Sequence, residues 1–353
     1  MGASEKIPAL LRFRPVYEGG PGAGPWLISS LGRPGLDQRD AAASIEFSQD
    51  PSRPSAVLEG PLAGRRVIGL AADFGADLVG PMGLSLIEQG LAFTARLVAA
   101  DAADLPLRLL RPAAASAGAA EAVPAEAVAV LEARPGAMVY YGRRRDLGAG
   151  RFSTLLMKNP GAEILEGHPA QSGQAFAVPA GMPYVLGRGV MAYVAGVEAS
   201  SGKAVKAGAG LITEPAPVSR VFIRGLGFLD GMNAVTWLVA AGPLAVARLD
   251  LRAEWEDEWK GGGPRPGFVL LTGLSGRALL TGAGETETIA RGVTVMAAAS
   301  CRCFRLNPGP EGASILKTWL SDRAAEIERP LLQRGLTRKE IEGLYGANER
   351  KRR

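Results

Sequence analysis

The chain has 353 residues, 47% of them hydrophobic and 21% charged, with a formal net charge of +5. That balance excludes a disordered chain, and the basic residues are too thinly spread for a nucleic-acid surface outside the terminal Arg350, Lys351, Arg352 and Arg353, which read as a solvated end. Two cysteines, Cys301 and Cys303, exclude a disulfide framework, and no apolar window is long enough to span a bilayer.

The opening Met-Gly-Ala-Ser-Glu-Lys carries an acid and no apolar run, so no signal peptide is expected and a cytoplasmic location follows, with no membrane or nucleic-acid partner. Cys301 and Cys303, two apart on a strand, would share one face as small core or surface residues. Glycine (47) and proline (25) fall between short apolar runs, the punctuation of a many-stranded β protein.

In chain order, residues 62–97 space apolar side chains by three and four, which predicts two short amphipathic helices separated at Gly80-Pro81. From Leu105 the pattern turns extended. Leu105–Pro112 and Ala127–Leu131 read as strands, and Pro135-Gly136 predicts a hairpin into Ala137–Tyr141 within one antiparallel sheet. Residues 175–190 read as strand, tight turn and strand, and residues 268–284 as two strands with glycine corners. Gly173–Tyr184 and Gly292–Cys303 share a plan: glycine, an apolar run, then a turn of small residues. This internal repeat points to two small barrels in tandem. Residues 313–353 read as a helical tail. In it Thr337-Arg-Lys-Glu340 is a capping box, and Ile341, Leu344 and Tyr345 form a stripe that packs on the second barrel.

Gly173-(x)5-Pro179-x-Gly181-x-x-Tyr184 follows the second signature of the cupin barrel except at its last position, where the signature has histidine. With Leu11–Val16, Ser55–Gly64, Val123–Ala137 and residues 175–190 in the same order, the chain over about residues 8–306 resembles the class I mannose-6-phosphate isomerases. The resemblance implies a mainly β fold of tandem cupin (jelly-roll) barrels. Its expected units are residues 1–210, carrying the helical insertion at 62–97, residues 211–312, and the tail. It also implies an aldose–ketose isomerase acting on mannose 6-phosphate and fructose 6-phosphate in carbohydrate metabolism.

In that family zinc is held by a Gln-x-His pair, a Glu and a second His. Those positions fall on Arg108, Leu110, Glu126 and Tyr184, so only Glu126 is retained. Arginine is permanently cationic, leucine has no donor atom and a phenol rarely ligates zinc, so no metal is expected. The family's active-site Arg falls near Lys206, and the lone His168 reads as a loop residue outside the ligand positions. The resemblance implies that Arg108 and Glu126 turn inward together, since their counterparts in that family converge on one ion and alternate residues of a strand share a face; the guanidinium would stand where the metal stood, with Leu110 and Tyr184 filling the remaining space. Three readings stay open: a metal-free isomerase using Glu126, Arg108 and Lys206; a non-catalytic pseudoenzyme that binds a sugar phosphate or regulates; and a structural protein whose barrels and tail form an assembly surface, as in a homodimer. The chain is expected to be a monomer or a homodimer.

Overall fold

A computed structural model describes residues 7–33, 40–110, 125–158, 161–199 and 221–345. The first half runs β1 (Leu10–Arg12), β2 (Val16–Glu18), α1 (Trp26–Leu31), β3 (Ala43–Ser48), α2 (Val67–Phe74), α3 (Ala76–Glu88), β4 (Leu91–Ala99) and β5 (Arg108–Leu109). It continues with β6 (Ala125–Ala133), β7 (Met138–Arg143), α4 (Ala149–Leu156), β8 (Leu165–Pro169), β9 (Ala175–Pro179), β10 (Pro183–Leu186) and β11 (Val190–Ala199). Strands β2-β3-β4-β11-β6-β9 form one antiparallel sheet and β5-β10-β7-β8 a second. Val128, Val139, Phe176, Tyr184 and Val194 from both sheets pack into one core between them.

The long strands of the six-stranded sheet are buried on both faces, which explains their near-continuous apolar sequence. In β4 the odd positions Leu91, Phe93, Ala95 and Leu97 join a core shared with the second half of the chain. The even positions, Arg96 among them, therefore look into the first sandwich.

The second half runs β12 (Leu226–Asp230), β13 (Asn233–Ala241), β14 (Leu244–Leu251), β15 (Trp255–Glu258), β16 (Val269–Gly282), β17 (Glu285–Ala290), β18 (Thr294–Ala297) and β19 (Cys303–Leu320). All eight strands lie in one antiparallel sheet. The sheet folds over because β16 and β19 are long and change register at Gly273/Ser275 and Gly276/Ala278. A Cβ on Gly276 (φ +66°) would fall 2.1 Å from the Gly312 carbonyl oxygen, so the crossing strands can approach there only through glycine. Beyond β19 come a wide helical turn (Arg323–Glu328), α5 (Arg329–Gln333) and α6 (Arg338–Glu342).

The mainly β architecture of antiparallel sheets agrees with expectation, and several local readings are corrected. Pro135-Gly136 does make a turn, but β6 and β7 lie in different sheets, so it is a corner of the sandwich and not a hairpin. Within residues 62–97 helices occupy only 67–74 and 76–88; residues 91–99 are the strand β4, whose alternate apolar residues happen to satisfy a three-and-four spacing. The chain turns by 105° at Gly75 between α2 and α3, and kinks again at the expected Gly80. Of Leu105–Pro112 only Arg108–Leu109 is strand, and residues 111 and 112 lie outside the described residues.

Residues 313–320 finish β19, so helical structure in the tail starts at Arg323. The expected boundary between residues 1–210 and 211–312 is also crossed at the start of the chain: β1 pairs with β18, Leu10 opposite Ala297. His168 lies on the edge strand β8, and Cys301 lies in the turn before β19 while Cys303 begins that strand. Both cysteines are free, and the buried Cys301 thiol is pushed up to about 11 by desolvation. The capping box of α6 is formed from both sides, and Ile341, Leu344 and Tyr345 are buried in the second core beside Trp237 and Trp319. No single helix is long and apolar enough to cross a membrane among the described residues.

The candidate functional site

Three strands of one sheet and two of the other converge inside the first sandwich. Glu126 of β6 is fully buried at their meeting point. Its Oε1 accepts from Arg108 Nε at 2.6 Å and from Arg96 Nη2 at 2.6 Å, and its Oε2 accepts from the Tyr184 hydroxyl at 2.7 Å. Arg108 reaches outward as well, donating from Nη2 to Glu198 Oε2 at 2.9 Å. Pairing of β5 with β10 sets Arg108 directly opposite Tyr184, which is why a two-residue strand suffices to aim the guanidinium. Glu126 lies opposite Gly196 on β11, two residues from Glu198 and on the same face. A Cβ at Gly196 would come 2.7 Å from Glu126 Cγ, so the glycine makes room for the carboxylate.

Leu110 is buried in the same core as Tyr184, and the Tyr184 ring meets Phe176 edge-on at 5.9 Å. The expected quartet of Arg108, Leu110, Glu126 and Tyr184 is thus brought together. Arg96 and Glu198 complete the cluster and went unread in the sequence. Lys206 lies outside the described residues.

Two effects oppose each other at Glu126. Burial alone raises a carboxyl pKa, but the field of Arg108, then that of Arg96, and the Tyr184 hydrogen bond outweigh it and hold the group below the ordinary carboxylate range. Burial, followed by the neighbouring Glu126 charge, raises the Tyr184 phenol. Arg108 is desolvated, yet the Glu126 charge overrides that loss and keeps it firmly cationic. Near neutral pH this cluster therefore holds fixed charges, and none of these three groups is poised to take up or release a proton. Two cations face two carboxylates, and a cleft of ≈ 380 Å³ opens beside Arg96, Arg108 and Tyr184. Its other walls are largely apolar, with Val98, Leu105 and Leu186 among them. The Arg108 and Glu198 side chains are about 30% exposed (28% and 30%), so the outer ion pair is open to exchange with an entering anion, whereas Glu126 is sealed.

No family's sequence profile matches the chain and no curated protein sequence matches it. Solved structures do. Mannose 6-phosphate isomerase from Bacillus subtilis superposes with a TM-score of 0.66 at 15% identity, over 88% of this chain and 99% of the other. A putative mannosephosphate isomerase from Archaeoglobus fulgidus gives 0.65 at 19% identity, over 90% and 100%. A mannose 6-phosphate isomerase solved with zinc bound gives 0.61 at 12% identity, over 89% and 100%. The fold is therefore the cupin fold of the mannose-phosphate isomerases along nearly the whole of both chains.

The residues at this cluster do not fit zinc. Both Glu126 oxygens already accept hydrogen bonds, from two guanidinium groups and a phenol, and the other carboxylate of the cluster, Glu198, is engaged by Arg108. Among the described residues no group of three or more His, Cys, Asp and Glu side chains could hold a metal ion.

Proposed function

We propose that this chain is a sugar-phosphate-binding protein on the mannose-phosphate isomerase fold, a divergent relative of the class I enzymes whose zinc position is taken by arginine. The observation that carries this reading is the complete engagement of Glu126 by Arg96, Arg108 and Tyr184 beside an open cleft. A phosphate ester entering the cleft would exchange with Glu198 on Arg108, whose planar guanidinium presents paired donors to an oxyanion. The metal-free isomerase reading is disfavoured by the same geometry, because a carboxylate held ionised by two cations is a poor general base.

Thermal shift with mannose 6-phosphate, fructose 6-phosphate and unphosphorylated mannose tests the reading, since a ligand selective for the folded state raises its Tm. The phosphate esters should raise Tm and mannose should not, and Arg108→Gln should abolish the response. In a coupled assay with and without added zinc, turnover should not exceed that of a Glu126→Gln control. Zinc-dependent interconversion lost in Glu126→Gln would overturn the proposal.

A further inference from the structure

A second cleft, of ≈ 180 Å³, lies at the seam where the six-stranded sheet faces the sheet of the second half. One wall comes from Leu97 of β4 and Met191 of β11, the other from Leu238 of β13 and Leu316 of β19, with Leu31 of α1 closing one side. Two arginines also line it, Arg248 of β14 and Arg291 of the turn between β17 and β18. Arg248 is opposite Leu316 and Asp250 is opposite Ser314 in the β14–β19 register, so these four side chains share the sheet face that looks into the seam.

The charges at the mouth are held loosely. Arg291 Nη2 donates to Glu132 Oε1 at 2.8 Å across the two halves, and Arg248 Nε donates to Asp250 Oδ1 at 2.9 Å. All four partners are between 39% and 49% exposed. Ion pairs at such exposure contribute little, so either guanidinium can take a new carboxylate at small cost. Deeper in, Ser314 is 5% exposed and its hydroxyl has no hydrogen-bond partner among the described residues. A buried hydroxyl without a protein partner is free to donate to a water or to a ligand oxygen, and Ser314 lines the cleft.

We propose that this seam binds a small carboxylate with an apolar body of aryl or branched aliphatic size. The apolar walls take the hydrocarbon, the paired arginines take the charge, and the Ser314 hydroxyl donates to a carboxylate oxygen. The size follows from the volume: a dry apolar cavity of about 150 Å³ accepts benzene. Clefts between packed units with a few convergent polar groups are favoured ligand positions. The site is separate from the Glu126 cluster and does not depend on the sugar-phosphate reading, since no residue lines both clefts.

Calorimetric titration of the full chain with phenylacetate, and with neutral phenylacetamide as control, tests the assignment. Phenylacetate should bind saturably, and phenylacetamide at least about fivefold more weakly, about 1 kcal/mol of binding free energy. Arg248→Gln combined with Arg291→Gln changes only exposed side chains and should also weaken phenylacetate at least about fivefold while leaving the melting temperature within a few degrees. Leu316→Trp should fill the cleft and abolish binding; if that variant does not fold, the arginine variants decide. Absence of saturable phenylacetate binding, or a loss of under about fivefold in the double arginine variant, overturns the proposal.

Discussion

Each half of the molecule buries a carboxylate between two cations, and the two arrangements differ in what anchors the cations. In the first half Glu126 is held by Arg96, Arg108 and Tyr184, and Arg108 extends to a cleft and to the part-exposed Glu198. In the second half Asp257 is held by Arg265 and Lys317. Arg265 is only 2% exposed and also donates to the backbone carbonyls of Asp257, Cys301 and Arg302, while Lys317 rests over Trp319 at 4.3 Å. Burial raises the Asp257 pKa, but the fields of Lys317 and Arg265 prevail and hold it low. Charge compensation is common to both, yet only one cluster has a side open to exchange. The second is a fastener for the turn before β19 and for the tail, whose Ile327 and Leu331 share its core with Trp319 and Phe304. The first has the form of a binding site because part of its ion-pair network meets solvent.

Substitution at the two carboxylates is the sharpest way to break this comparison. Glu126→Gln leaves Arg96 without its carboxylate and Arg108 with Glu198 alone, and should cost about 3–5 kcal/mol in denaturant unfolding. Asp257→Asn should cost less, about 1–3 kcal/mol, because Arg265 keeps three carbonyl acceptors. Equal losses would show the clusters to be equivalent fasteners. Leu344→Ala, which opens the core under the tail, should cost about 2–5 kcal/mol and leave sugar-phosphate binding unchanged. Tyr184→Phe removes one charge-assisted hydrogen bond of three and should cost about 1.5–3 kcal/mol.

The smallest effect is expected in pH dependence. Glu126 and Asp257 have folded-state pKa values below the unfolded ones, so their stabilisation is fully present above the unfolded carboxylate value near about 4. It is lost as pH falls through the lower folded values. Tm measured from neutral to strongly acid pH should fall on the acid side, and the fall should be shallower in Glu126→Gln. An unchanged acid slope would remove Glu126 from the account.

How much of this was legible in the sequence depended on the reach of each signal. Arg108, Glu126 and Tyr184 could be placed together because the family resemblance sets them at positions that converge in that family, with the spaced phrase ending at Tyr184 as its anchor. Arg96 escaped because residues 91–97 satisfy helical spacing, although Leu91, Phe93, Ala95 and Leu97 also alternate, and that alternation would have turned Arg96 into the sandwich. Glu198 ends an apolar strand, where a charge reads as a boundary. Pro135-Gly136 signals a turn, but which sheet the next strand joins is decided by packing across the sandwich, which local sequence does not encode. Ile315–Leu320 mixes β-branched and aromatic residues that fit a strand, and amphipathic counting misassigned them to the tail. The repeat was legible because both copies begin at a glycine with positive φ, Gly173 and Gly292, and each then runs strand, turn, strand.

The central claim is that two guanidinium groups occupy the position a cation would need beside Glu126. Elemental analysis of the purified chain after incubation with zinc and desalting tests it most directly. The account predicts far less than one divalent ion per chain, with no difference between the native protein and Glu126→Gln. About one ion per chain in the native protein, lost in Glu126→Gln, would contradict it.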